Sequence, residues 1–440
     1  MIIYWLVFFI IAICGLYNWK RTVIGWIPFS MLFNDGVCLK YQSPSVSLEL
    51  AVDIYLLAVY YFAYRKRCIP IHGRKIDYFF KSSFIAYSIS YFFSMIFSIA
   101  PLSVIFTGTI KFFVEGFVLV YLFQLALSNK EDVNFIIKCL LISLIIISIL
   151  GVIEFVYKLN PVLTFVYLNA PSPDLLDGKL YFNPLELDND YDLRYGMRRT
   201  YSFFSIHIAY GCACSLWFFM CLYFVKYWKK RDFLLIYSLM ISLCIVGMFI
   251  SNSKTPMLGF LFFSVAFLSR KNLLSIKKII IVIAIFLLIS QFAPQYLNNL
   301  TALFDKKMAE EAGGSNPGMR AKQYEVALKL FLQNPVFGNG IGSTAIMTKS
   351  AANSDLLGSE SSWLKILPQQ GLIGACAYLY MYVVTFIKLK RTVGFQIPFC
   401  FLGGMFAMEV ATGFMKFSLW GAIVILMVKI SELNRKSHEQ

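Results

Sequence analysis

Histidine is almost missing from this 440-residue chain: there are three, His72, His207 and His438, and none falls between 294 and 361. A metal centre built on several imidazoles is therefore excluded from that long polar stretch. Charge is scarce as well, at 15% of residues against 59% hydrophobic, too little for a water-soluble fold. No phosphate-binding P-loop occurs, which argues against nucleotide hydrolysis, and no Asp-x-Asp or Asp-x-x-Asp pair stands in a basic loop. The ten cysteines show no paired spacing; Cys139, Cys212, Cys214, Cys221, Cys244 and Cys376 lie in apolar runs and read as small apolar residues. The first 16 residues lack a basic n-region and are followed by further apolar runs, so no cleavable signal is expected.

What is present is hydrophobic length. Solid apolar runs such as "LLISLIIISILGVIEFVY" do not alternate, which excludes a membrane β-barrel. Many reach the roughly 20 residues needed to cross a bilayer core about 30 Å thick. The expected spans are about 2–17, 47–64, 79–99, 108–127, 136–157, 203–225, 233–250, 255–269, 279–293, 362–387, 395–410 and 416–430. That makes 12, or 13 if the short apolar piece 22–33 crosses rather than forming a half-helix or interfacial segment. The fold class is thus all-α, a polytopic membrane bundle.

The net charge of +16 follows an orientation rule and does not imply nucleic-acid binding. Short basic loops at 64–75, 226–232, 270–278 and 388–391, and the tail after Lys429, all fall on one side, which is then cytoplasmic. The other side receives 18–46, 100–107, 158–201, 251–254, 294–361 and 411–415. The chain divides into N-terminal spans (1–157), a first large outer loop (158–201), central spans (202–293), a second large outer loop (294–361), and C-terminal spans with a tail (362–440). The first loop opens acidic, with Asp174, Asp177, Glu186, Asp188, Asp190 and Asp192, and ends on Arg198 and Arg199.

Within the second loop, Val326, Ala327, Leu330 and Phe331 recur at helical spacing from Arg320 onward, and Asn334-Pro335 stops the helix. The "GNGIG" that follows offers backbone freedom and N–H groups able to approach a phosphate. Arg199, Lys254 and Arg320 stand on the outer side, against the orientation rule. Guanidinium groups pair bidentately with phosphate oxygens, so a headgroup-level cation cluster suits pyrophosphate; snorkelling and phospholipid anchoring are the alternatives. Glu360, at the end of the loop, is either a general base at a cavity edge or a first-turn helix charge with Ser359 as cap. Glu49, Asp53, Lys111, Glu115, Glu154, Glu409 and Lys416 lie in or near apolar segments, where ionisable groups are either functional or paired; Lys111 and Glu115 have the i,i+4 spacing of a local pair.

Four stretches resemble the O-antigen ligase/O-antigen polymerase superfamily of membrane glycosyltransferases. "RRTYSFFSIHIAYG" is similar to its Arg-led turn into a span. "SNSKTPMLGF" resembles a Ser-Arg-Gly-type turn, with Lys254 where Arg is usual. "MRAKQYEVALKLFLQNPVFGNGIG" resembles its Arg, amphipathic helix, Pro and Gly-x-Gly-x-Gly run. "ESSWLKILPQQGLIG" resembles the ligase segment that carries a His, here replaced by Glu360. The likeness covers roughly 195–385. It implies a GT-C-like bundle and metal-independent glycosyl transfer, with no cofactor. The substrates it implies are undecaprenyl-pyrophosphate-linked oligosaccharides, met among membrane lipids at the periplasmic face of a bacterial inner membrane. Arg199, Lys254, Arg320 and the neighbouring Arg198 would hold pyrophosphate, and Glu360 would act as base beside Arg199 and Arg320. Tyr181, Tyr191, Tyr195, Tyr324 and Trp363 are sugar platforms or interfacial belt residues. A chain-length regulator is a conceivable partner, and nucleic acid is not. The missing His favours repeat-unit polymerase over ligase. The rival from another class, a lipid-linked oligosaccharide flippase, would show inverted repeats and a charged central cavity, and no repeat is visible.

Overall fold

The computed structural model describes residues 2–33, 36–41, 45–64, 77–170, 193–194, 197–228, 233–267, 317–347, 361–413 and 416–439. Each expected span within them is helical. The helices are α1 (Ile2–Tyr17), α2 (Trp19–Phe29), α3 (Leu48–Val59), α4 (Lys81–Ile96), α5 (Leu102–Ala126), α6 (Lys130–Tyr157), α7 (Pro161–Asn169) and α8 (His207–Tyr227). They continue as α9 (Leu234–Ile250), α10 (Lys254–Val265), α11 (Pro317–Gln333), α12 (Ser343–Met347), α13 (Ser362–Val393), α14 (Gln396–Ala411) and α15 (Phe417–Glu439). A 3-10 turn (Ser30–Leu32) follows α2 and a π-helical turn (Tyr60–Tyr64) follows α3, and there are two short antiparallel pairs, β1 (Cys38–Lys40) with β2 (Val46–Ser47) and β3 (Leu193–Arg194) with β4 (Met197–Arg198). Among the described residues α5, α6, α8, α13 and the stretch Phe417–Lys436 of α15 are long and apolar enough to cross a membrane. The expected span 279–293, residues 65–75 of the basic loop 64–75, residues 229–232 of the basic loop 226–232 and the whole loop 270–278 lie outside the described residues.

Local chemistry sets the helix starts. Asn129 and Asp132 form a reciprocal capping box at the head of α6. Asn160 accepts from Val162 and Leu163 N–H, with Pro161 in the first turn of α7. That helix lies inside the stretch 158–201, which the sequence suggests is one continuous outer loop. The central helices approach closely because small residues sit at their crossings. A Cβ on Gly211 would lie 2.4 Å from Pro256 Cγ, and one on Gly259 2.5 Å from Met408 Sδ. In lipid such packing replaces the hydrophobic effect as the driving force between helices.

One end of the bundle gathers basic residues. Lys388 donates to the Phe79 carbonyl, Asn434 Nδ2 donates to the Tyr227 carbonyl across 2.8 Å, and Trp228 Nε1 donates to Asn134 Oδ1 across 3.0 Å. The α1–α2 turn belongs to this end. Lys20 Nζ reaches Ser128 Oγ at 3.5 Å, and the Arg21 guanidinium lies 5.5 Å from the Phe135 ring centroid. Tyr4 packs instead on Phe165 of α7, at the far end, so α1 and α2 run antiparallel. This corrects the assignment of the whole segment 18–46 to the outer side. Asn18 caps α2 one residue after α1 stops, which leaves room only for a tight reversal, and Lys20 and Arg21 then join the other basic loops.

Buried charges are mostly mounted. Lys416 pairs with Glu49, Trp26 Nε1 donates to Asp53 Oδ1 across 2.7 Å, and Tyr382 Oη donates to Glu409 Oε2 across 2.8 Å. Glu115, in a π-helical stretch of α5, accepts from Ser47 Oγ at 3.3 Å.

Candidate functional site

Arg199 sits between β4 and α8, on a turn held by a carboxylate from another helix. Glu154 of α6 is completely buried. Its Oε2 accepts from the Tyr201 N–H at 3.0 Å, the Ser202 N–H at 2.7 Å and Asn160 Nδ2 at 2.9 Å. Asn160 Nδ2 also reaches the Ser202 carbonyl, and Ser202 Oγ donates to the Ile147 carbonyl at 2.8 Å. Ser202 has φ of 54°, a left-handed conformation that a non-glycine residue keeps only when its surroundings enforce it. Three N–H groups on one carboxylate oxygen make Glu154 a structural anchor, one of the roles open to it from sequence. The Arg199 side chain leaves this mount half-buried, with Nη1 3.4 Å from His207 Nε2. Arg198 ends β4, and its side chain lies outside the described residues.

The same turn reaches the next hairpin through the Thr200 N–H, which donates to the Ile250 carbonyl across 3.3 Å. Ser251, Asn252 and Ser253 form the buried α9–α10 corner, and Lys254 is the first residue of α10. A cation at a helix N-terminus works against the macrodipole, and the two together favour an anion there.

Arg320, in the first turns of α11, donates from Nη1 to the carbonyl of Ala411, the last residue of α14, at 3.0 Å. Helix α14 runs antiparallel to α10. Met408 meets Gly259, Phe263 meets Gly404, and Gln396 Nε2 donates to the Val265 carbonyl. The C-terminus of α14 therefore lies beside the N-terminus of α10. Arg199, Lys254 and Arg320 come to one end of the bundle, opposite the basic end.

In the described part of the second loop, 317–347, the helix forms as the periodicity predicts. Helix α11 ends at Gln333, before Asn334-Pro335. Ala327 and Leu330 are buried against Leu364 of α13, with Val326 packed beside them. The glycine run departs from expectation. The Asn339 N–H donates to the Pro368 carbonyl at 2.8 Å, the Gly340 N–H to the Gln369 carbonyl at 2.9 Å, and the Gly338 N–H to the Asn334 carbonyl at 2.9 Å. In return the Leu372 N–H donates to the Pro335 carbonyl at 2.8 Å. The run is a clasp on a break in α13, where Gly371 takes φ of 61°, so these N–H groups are already used within the protein. Serines of α4 and of the turn that follows it lock the clasp from behind. Ser94 Oγ donates to the Gln369 carbonyl and Ser98 Oγ to the Ile341 carbonyl, both at 2.8 Å, and Ser90 Oγ reaches Gln370 Oε1.

Glu360 lies outside the described residues. The next residue, Ser361, is fully buried at the head of α13. Trp363 packs edge-on against Tyr378 and Phe406, at centroid distances of 5.1 and 5.8 Å, as a half-buried residue at the edge of the core. Tyr324 is exposed on α11. Tyr181, Tyr191 and Tyr195 lie outside the described residues. Sequence reasoning missed two features: the partnership of His207 with Arg199, and Glu154 beneath the turn that carries Arg199. The only available signals were an imidazole at a helix start and a carboxylate in an apolar run.

No curated protein and no solved structure is significantly similar to the chain. A protein-family model described as O-antigen ligase matches residues 239–379, a region that runs from α9 into α13 and contains Lys254, Arg320, Glu360 and the glycine clasp. Residues 239–379 are thus similar to the O-antigen ligase family, which is consistent with the O-antigen ligase/polymerase superfamily and with a polysaccharide-related function in a multi-pass membrane protein.

Proposed function

We propose that this protein is an O-antigen or related surface-polysaccharide polymerase. It joins oligosaccharide repeat units carried on undecaprenyl pyrophosphate at the periplasmic face of the inner membrane. The observation that supports the reading is that the elements carrying Arg199, Lys254 and Arg320 end on the same side of the bundle, opposite the end that holds Lys20, Arg21 and Lys388. There the growing chain is donor and the incoming unit is acceptor. The acceptor hydroxyl attacks the anomeric carbon, the bond from that carbon to the pyrophosphate oxygen breaks, and the electron pair leaves with the pyrophosphate. Arg199, Arg320 and Lys254 stabilise the charge that develops on the leaving group, an electrostatic role needing no reorganisation when the groups are already mounted. Glu360 accepts the hydroxyl proton. The cations supply the charge that a metal supplies in other transferases.

A second reading is favoured by the description of the matched family: transfer of finished polymer to the lipid A core, as a ligase does. Gels of lipopolysaccharide from a deletion strain separate the two. Complementation with wild type, Arg320→Ala or Glu360→Ala is compared with the empty strain. Cores capped by one repeat unit in the empty strain, with the ladder absent, mark a polymerase. Bare cores with polymer held on the lipid carrier mark a ligase. A full ladder from both point variants at normal abundance removes Arg320 and Glu360 from the mechanism.

A further inference from the structure

Resting on the reading of Arg199 as a pyrophosphate ligand, we propose that His207 is a positioning residue that aims the Arg199 guanidinium without neutralising it. A guanidinium only donates hydrogen bonds, so the 3.4 Å contact from Arg199 Nη1 requires a lone pair on His207 Nε2. The imidazole is then neutral, with its proton on Nδ1. A carboxylate in that position would hold the arginine equally well, but as an ion pair it would compete with the incoming pyrophosphate. Neutral imidazole gives direction and brings no negative charge of its own.

The ring is itself fixed. His207 is the first residue of α8 and only 8% exposed, and Tyr201 meets it edge-on with centroids 5.3 Å apart and planes at 79°. The backbone carrying Arg199 is pinned at the next three residues by Ile250 and Glu154. A long side chain that leaves a rigid mount still loses rotamer freedom when an anion orders it, and a fixed acceptor near its tip reduces that loss beforehand.

The test is repeat-unit polymerisation by the full-length protein in lipid nanodiscs, with the lipid-pyrophosphate-linked repeat unit as substrate. In glutamine the side-chain oxygen falls near the place of Nε2, in asparagine near Nδ1, and leucine fills the volume with no acceptor. His207→Gln is expected to keep activity within about threefold of wild type, while His207→Leu and His207→Asn lose about tenfold or more in kcat/KM, through a raised KM for the donor. Equal activities of the glutamine and asparagine variants would overturn the proposal, and that comparison stands even if the leucine variant does not accumulate. Arg199→Ala separates the two levels. Full activity of Arg199→Ala removes the pyrophosphate role itself. Loss in Arg199→Ala with a fully active His207→Leu removes only the role of His207.

Discussion

The Ser202 N–H donates to Glu154 Oε2 across 2.7 Å, joining residues 48 apart in sequence. That bond, with its neighbour from Tyr201, fixes the turn bearing Arg199 to the buried end of α6. A carboxylate inside a membrane bundle is retained here because it satisfies N–H groups that would otherwise be orphaned in a non-aqueous setting.

Glu154→Ala is expected to lower thermal stability in detergent and to abolish polymer formation. It leaves buried N–H donors unsatisfied at about 1–3 kcal/mol for each group. Glu154→Gln retains an acceptor oxygen and should recover most of the stability. If alanine and glutamine melt alike, the anchor reading is wrong.

Gly340 has φ of 93°, and a Cβ there would lie 2.0 Å from Ser98 Cα. Gly394 has φ of 84° with nothing near its Cβ position. Gly394→Ala should therefore cost only backbone strain, on the order of 1–2 kcal/mol, whereas Gly340→Ala must force the clasp off α4. The expected outcome is near-normal abundance for the first and failure to accumulate for the second. Comparable melting temperatures would show that the clasp yields easily.

Lys416→Met isolates the buried Glu49 carboxylate, which should cost about 3–5 kcal/mol. Adding Glu49→Gln removes the orphaned charge and should restore much of that loss, a coupling read from a double-mutant cycle in detergent melts. Additive losses would mean that the two side chains do not act as a pair.

Lys254 tests the proposed anion site by charge alone. Lys254→Arg is expected to preserve the polysaccharide ladder, and Lys254→Glu to remove it at unchanged abundance, because it reverses the field at the N-terminus of α10. A normal ladder from Lys254→Glu would leave Arg199 and Arg320 as the only cations in the proposal.

The membrane class, the helical runs and the stop of α11 at Asn334-Pro335 followed from the amino-acid sequence alone, because hydrophobic length and proline act over a few residues. The candidate cations Arg199, Lys254 and Arg320 were legible for a similar reason: basic residues on the side away from the basic loops stand out against a simple orientation rule. The tertiary structure decided what depends on distant partners. Lys20 and Arg21 fall at the basic end because α2 folds back on α1 and meets Ser128 and Phe135. The glycine run reads locally as a phosphate cradle, yet its N–H groups are taken by Pro368 and Gln369 of α13. Glu154 anchors the turn of Arg199, and His207 meets its guanidinium, through contacts between separate segments. Hydrogen-bond satisfaction in a bundle is settled by which segments meet in space, and local pattern does not encode it.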